Sequence, residues 1–504
     1  MARRRERANR VRADIDTSHY RRLQNPFEPL RVLSDDNVEY IHDRAVQYLA
    51  DEGIRVLLPE ARDLFASRGA MVADEMVRLD PDVIRAALSS APTSFELQAP
   101  NPERSVSVGG RSLVLAPVGG PPFVSDLLNG RRAGTLADQE NFLRLTQSFD
   151  VMALTAPCVE PDDIALPERH LRSGFATMTL TDKPVFLYAR GRRRVRDNFD
   201  LVKLRYGIET DEEFAQTPRC WTNINTNSPR QLDIPMSMGI IDFARMGQPC
   251  IMTPFTLAGA MAPVTLAGAL VLQHIEVLAA VTLSQMVRPG APVLYGAFTS
   301  NVDMKSGSPA FGTPEAMKGA LASGQLARHV GLPWRSSGSS ASNSVDAQAG
   351  YETMMNTYGA FLAGANWVMH AAGWQEGGLS ASYEKFIVDI EMCQMIAEVC
   401  APVVVNDDEL ALDAITEVGP GGHFFGTDHT LERFEQAFYQ PIVFSRATYE
   451  QWAEEGSPRV DERATDRWQQ VLADFSPPPI PDDVREAMSD FVERRTAEGG
   501  AAPD

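Results

Sequence analysis

Eight short apolar runs, each followed by a helical stretch, predict an α/β chain centred on a (β/α)8 TIM barrel. The runs are Ser112–Ala116, Val151–Ala156, Pro184–Ala189, Cys220–Ile224, Cys250–Thr253, Pro292–Tyr295, Pro333–Arg335 and Asn366–His370. The helical stretches lie near 136–148, 167–181, 193–205, 231–246, 264–287, 314–329, 346–363 and 382–400. Length is the second observation: 504 residues suit a large barrel with extensions better than one minimal core. The third is the crowding of polar and aromatic residues in loops that follow strands, where β/α folds carry their chemistry. A doubly wound open sheet predicts the same alternation, so only the count of eight favours closure.

Taken in order, residues 1–30 are Arg-rich with no apolar run behind them, which reads as a disordered basic arm and not a secretion signal. Residues 31–111 read as an α+β cap. Ser34 caps a helix that stops at Gly53, helices follow at 59–67 and 81–89, and an extended piece spans 77–79. Residues 94–115 alternate around a Gly-Gly turn, as hairpin strands do. The barrel occupies 112–400. Residues 401–504, with two amphipathic stretches reaching Ala497, read as a helical extension packed on it. Apolar runs such as Val264–Leu272 fall short of a membrane span.

Net charge is −20, from 67 acidic against 47 basic residues, which argues against nucleic-acid and anionic-membrane partners. The five cysteines are scattered without a CxxC pair, as expected of reduced thiols in a cytoplasmic protein. Phosphate-loop, dinucleotide and GxSxG fingerprints are absent.

On a barrel, the active face collects Gly119, Gly120, Phe123, Cys158, Glu160, Arg190, Asn223, Asn225, Phe255, Phe298, Ser336–Ser340, His370 and Trp374. Aromatics and neutral polar groups dominate that set. Such a lining suits a quaternary cation, which donates no hydrogen bonds and is held by π faces; each aromatic alone also suits ordinary packing. His370, ending a strand, is placed to act as base, substrate orienter or metal ligand, or simply to satisfy a backbone carbonyl. His423, Asp428 and His429 sit in a Gly-rich turn whose spacing is not a zinc pattern, so Thr427 or Asp428 reads as a helix cap.

DAQAGYE (346–352), HAAGWQEGGLSASYEKF (370–386) and GPGGHFFGTDHTLERF (419–434) resemble the trimethylamine methyltransferase superfamily, and the likeness runs from about residue 30 to the end. The resemblance implies a (β/α)8 barrel that moves a methyl group from a methylated amine to the Co(I) of a corrinoid protein. Trimethylamine enzymes carry pyrrolysine in the loop corresponding to Ser336–Ser344; here only ordinary residues occur, with Asn343 near that place. The chain therefore resembles the non-pyrrolysine, glycine betaine:corrinoid type. A neutral amine must first be made cationic before it loses a methyl group, whereas a quaternary ammonium already has a neutral amine as leaving group. The implied substrates are glycine betaine, proline betaine, carnitine or a relative. The expected catalytic positions are His370 and Asn343. Substrate-binding positions are Trp374, Phe298, Phe255, Tyr351, Asn223 and Glu376, with Arg190 or Arg335 on a carboxylate. The cofactor is cobalamin carried by a partner, no protein-held metal is implied, and a homo-oligomer is expected. A metal-dependent barrel hydrolase or lyase and a non-catalytic betaine-binding scaffold are the competing readings.

Overall fold

The computed structural model describes residues 17–502. Seven parallel strands form one curled sheet: β1 (Ser112–Leu115), β2 (Val185–Phe186), β3 (Cys220–Thr226), β4 (Cys250–Pro254), β5 (Val293–Gly296), β6 (Trp334–Ser337) and β7 (Trp367–Met369). Their order is β1-β7-β6-β5-β4-β3-β2. The fold is thus mixed α/β around a curled, half-barrel sheet.

The run Val151–Ala156, expected as a strand, is not one. It lies between β1 and β2: Ala153 N–H donates to Leu115 O (2.9 Å) and Thr155 N–H to Pro184 O (3.1 Å). Pro184 has no N–H to return, and Phe186 N–H donates to the Thr155 hydroxyl (3.1 Å) instead of a carbonyl. A regular ladder is therefore lost at the one place where the sheet would close.

Helices cover the outer face at 136–148, 166–180, 192–206, 234–245, 266–287, 314–329, 347–362 and 383–400. Leu266–Val287 is long and apolar enough to cross a membrane by length and composition. It is a core helix, with most of its residues buried and packed on helices Asp35–Asp51 and Pro81–Ser90. The N-terminal helices start where expected, with Ser34 accepting from Asn37 N–H. Strand Ile54–Val56 pairs with Gln231–Leu232 of the central unit, so the N-terminal elements and the curled sheet share one core.

One expectation is corrected at the N-terminus. The basic arm lies partly outside the described residues, but 17–30 are laid down on the body: Leu23–Gln24 pairs antiparallel with β1, and Asn25 donates to Phe361 O (2.7 Å). Burial of Tyr20 and Leu23 and the Arg21–Asp150 ion pair (3.0 Å) hold it there. Residues 94–109 do form a hairpin, Ser94–Leu97 against Val106–Gly109. Its Leu97, Val106 and Val108 join Val114, Trp221, Ile251, Leu294 and Trp367 in a separate apolar cluster that plugs the N-terminal end of the sheet. Trp221 and Trp367 meet edge to face at 4.8 Å in its middle.

Candidate active site

Each strand climbs from this plug into a cavity of about 280 Å³. Side chains alternate across a strand, so the inward face of β3 runs Trp221, Asn223, Asn225, and that of β4 and its end runs Ile251, Thr253, Phe255. On β2 and its continuation it runs Phe186, Tyr188, Arg190. Leu294, Gly296 and Phe298 do the same for β5. A Cβ on Gly296 would lie 2.2 Å from the Thr253 hydroxyl, so glycine leaves room for the polar chain beside it. In that chain Thr253 donates to Asn223 Oδ1 (2.8 Å) and Asn223 Nδ2 to Asn225 Oδ1 (2.7 Å).

The floor is Arg335. Its register partner on β7 is Trp367, which sits in the plug. The guanidinium is fully buried, donates to Ala297 O (3.1 Å) and faces His370 Nε2 (3.3 Å). Among the described residues no carboxylate lies within ion-pair distance of it, and no Asp or Glu lines the cavity. Burial alone pushes its pKa down to about 9, so it remains charged at neutral pH.

His370 follows β7 with φ +57°, a left-handed conformation uncommon outside glycine. Burial, then the Arg335 charge, hold its pKa well below the usual imidazole range. The neutral ring cannot satisfy both neighbours. Gly119 N–H points at Nδ1 (3.2 Å) and Arg335 N–H at Nε2, yet one ring nitrogen must carry the proton. With Nδ1 accepting from the amide, Nε2–H and the guanidinium face the same space as two donors. That arrangement asks for an acceptor oxygen.

Above the floor the walls are aromatic. Phe298 lies 5.0 Å from Phe255 and 5.9 Å from Trp374, and His370 lies 4.1 Å from Trp374. Trp374 is placed by a small sheet over the mouth, in which Trp374–Gln375 pairs with Ser380–Ser382 and that strand with Phe123–Asp126. Gly378, at φ +103°, lies so close to the indole that any Cβ would overlap it at 2.3 Å. Glycines 119, 120 and 378 complete the rim.

Of the positions expected from sequence, His370, Trp374, Phe298, Phe255, Asn223, Arg190 and Arg335 line this cavity. Three do not. Asn343 is exposed: buried Glu352 holds the turn before it by accepting from the Ser340 hydroxyl (2.8 Å) and from Ala341 and Ser342 N–H (2.8 and 3.1 Å), and Asn343 follows on the outside. Tyr351 stands on the outer face of helix Ala347–Leu362, 61% exposed. Glu376 pairs with Arg131 (2.8 Å), outside the cavity lining. His423, Asp428 and His429 lie on a surface segment; Thr427 caps the helix Asp428–Arg433. Tyr188 and Phe186 were missed, although the period of two running back from Arg190 points to both. The Tyr188 hydroxyl is kept protonated by burial and then by the neighbouring Glu160.

Comparison with known proteins bears on this site. The profile of the family described as trimethylamine methyltransferase (MTTB) matches residues 1–500. The chain belongs to that family. It is 36% identical over 471 residues to a glycine betaine methyltransferase of Desulfitobacterium hafniense strain Y51, covering 93% of this chain and 98% of the relative. A trimethylamine methyltransferase of Desulfitobacterium hafniense strain DSM 10664 / DCB-2 is 30% identical, covering 93% and 95%. A solved Methanosarcina barkeri monomethylamine methyltransferase shares 12% identity at a TM-score of 0.48, covering 92% of this chain and 89% of its own.

Proposed function

We propose that this MTTB-family chain moves a methyl group from a carboxylate-bearing quaternary amine, glycine betaine or a relative such as proline betaine or carnitine, to the Co(I) of a corrinoid carried by a partner protein. The observation that carries the reading is the polarity of the cavity: an unpaired buried guanidinium at its floor and aromatic faces at its mouth. A buried charge is costly unless paired, and the carboxylate of a betaine would complete Arg335 and the Nε2–H of His370 together. Its onium head would then lie among Phe255, Phe298 and Trp374, with one methyl directed out of the mouth.

When docked, the reduced corrinoid supplies the electron pair that forms the new bond to carbon. The C–N pair stays on nitrogen, which leaves as a neutral tertiary amine, so no residue has to transfer a proton. The chain's own part is positioning and exclusion of water. Arg335 and His370 anchor, the aromatic wall orients, and Asn223 and Asn225 line the remaining side with neutral dipoles. The glycine rim suits the approach of a flat macrocycle. Arg190, exposed at the mouth, would suit a longer acid such as carnitine.

The same reading takes the sheet as a (β/α)8 barrel closed through 151–156, and places the protein in the cytoplasm with its five free thiols. The hydrolase alternative lacks a ligand set: among the described residues no three His, Cys, Asp or Glu side chains converge to hold a metal. The test is methylcobalamin formation from cob(I)alamin with a panel of betaines, alongside calorimetric binding. Transfer from a betaine but not from trimethylamine is expected. Absence of betaine binding would overturn the assignment, and binding without transfer to the cognate corrinoid protein would leave only the scaffold.

A further inference from the structure

Between residues 403 and 438 the chain behaves unlike the rest of the molecule. It holds Val403, Phe425 and Phe438, which are 90%, 83% and 74% exposed, together with half-exposed or more exposed Leu412, Ile415 and Phe434. Only Ala414 and Thr427 are buried in the whole stretch. Its helices, Asp407–Leu410, Leu412–Val418 and Asp428–Arg433, are one or two turns long. Helices so short have no stability of their own in water and take it from packing.

We propose that this segment is an arm that seats on a second copy of the chain. Area is the first argument. At roughly 150–250 Å² per aromatic, its bare apolar side chains present on the order of 1,000 Å². That exceeds the ~300–600 Å² patch of an ordinary monomer and meets the ~800 Å² per partner of a stable interface.

Position is the second argument. Helix Tyr383–Cys400 has its N-terminal end at the cavity mouth, so the arm leaves the body at the far end of that helix. It rejoins at Glu391, halfway back, where the carboxylate accepts from Ile442, Val443 and Phe444 N–H (2.7, 2.6 and 3.1 Å). A protein delivering an acceptor must sit over the mouth, and the arm's roots are not there. Partners exchanged at every turnover use interfaces at the small end of the range, whereas the apolar part of this surface is large.

A receptor lies close to those roots. A groove of about 770 Å³ runs between helices Ala347–Leu362, Tyr383–Cys400 and Val460–Ala473, lined by Tyr351, Met354, Val388, Met392, Phe444 and Val460. The apolar side chains of the arm alternate with exposed acidic ones such as Asp413 and Glu432, the groove carries Arg459 beside its apolar lining, and both belong to one chain. A two-fold exchange, each arm entering the other copy's groove, covers both at once, as an isologous interface requires. It also accounts for Tyr351, an aromatic carried on an outer helix face.

The experiment is the solution mass of the full chain, with hydrogen exchange resolved by peptide. The expected mass is twice the chain's 55.3 kDa, and the double substitution Phe425→Asp, Phe438→Asp should halve it without moving the melting of the body. In the unaltered protein, amides of 403–438 and of the groove helix 347–362 should be protected at high concentration and lose protection together on dilution. These exchange data decide the matter even if the substituted chain precipitates. A monomeric chain overturns the proposal. So does arm protection that ignores concentration, which would mean the arm packs on its own body, or protection that appears only when a corrinoid protein is added.

Discussion

Replacing Arg335 by methionine separates a binding role from a structural one, because the two predict opposite signs. The side chain is fully buried, has one backbone carbonyl, an imidazole and the Phe298 ring (5.6 Å) as neighbours, and has no acidic partner among the described residues. Removing it from the ligand-free protein deletes a hydrogen bond worth about 1 kcal/mol and relieves a desolvated charge whose cost is at least as large. The melting temperature of R335M should therefore hold or rise. Binding should behave otherwise. Two charge-assisted hydrogen bonds at roughly 1.5–3 kcal/mol each, less some loss to imperfect geometry, come to about 2–4 kcal/mol. Glycine betaine affinity should then fall by roughly 30- to 1,000-fold. Choline has the same onium head and no carboxylate, so its affinity should be unchanged or improved. Arg335→Lys keeps the charge but not the fork, and should fall between the two. Calorimetric titration of both ligands, with thermal melts of the ligand-free proteins, reads all of this. A clear drop in ligand-free melting temperature with betaine binding preserved would refute the reasoning, and so would equal losses for betaine and choline.

Three further outcomes are expected. Trp374→Leu keeps an apolar wall but loses a π face worth about 1–2 kcal/mol to a desolvated cation; the preference for glycine betaine over its neutral carbon isostere 3,3-dimethylbutanoate should shrink by roughly 5- to 30-fold, measured by competition. His370, His274 and His42 are all held below the ordinary imidazole pKa, chiefly by burial. The unfolded chain takes up their protons first as pH falls through about 6.5, so their stability is present above that pH and drops below it by up to ~1.4 kcal/mol per unit for each fully buried ring. Thermal melts from pH 7.5 to 5.5 check this, and transfer rates should show no ionisation of His370 across pH 6.5–8. Lys183→Met removes the Nζ donor from Thr146, Phe149 and Met152 O, which now accept at 2.5, 2.9 and 2.6 Å, although Phe149 O keeps the Met152 N–H (3.1 Å); about 3 kcal/mol of stability should go, read by urea unfolding.

What the sequence made legible follows from which interactions are local. Caps and helix periods are set within a few residues, so Ser34, Pro59, Pro81 and Thr427 mark their helices in advance. The inward register of a strand is also local, which is why Asn223, Phe255, Phe298 and Arg335 fell into the cavity. Applied to the run ending at Arg190, the same period names Phe186 and Tyr188. Asn343 and Tyr351 failed for a different reason. Both sit in segments whose direction is decided by contacts formed only on folding: buried Glu352 holds Ser340–Ser342 and leaves Asn343 on the outside, and the helix bearing Tyr351 turns that ring to solvent. Resemblance between motifs carries residue identity across proteins but not the side of a helix on which a residue lands.

Val151–Ala156 shows the limit from the other side. Its composition reads as a strand, and its backbone bonds to both neighbours, yet Pro184 removes one donor and the Thr155 hydroxyl replaces one acceptor. Lys183 ties down the start of that run, its Nζ donating to Phe149 O and Met152 O. A strand missing one reciprocal bond is held by its ends and not by its ladder, and Lys183 is one of those ends. The Lys183→Met melt therefore bears on more than stability. If closure runs through this turn, hydrogen exchange at Ala153 and Thr155 should rise together in that variant, while β4 and β5 on the opposite wall stay protected. Uniform loss of protection would instead mean that the curled sheet unfolds as one unit.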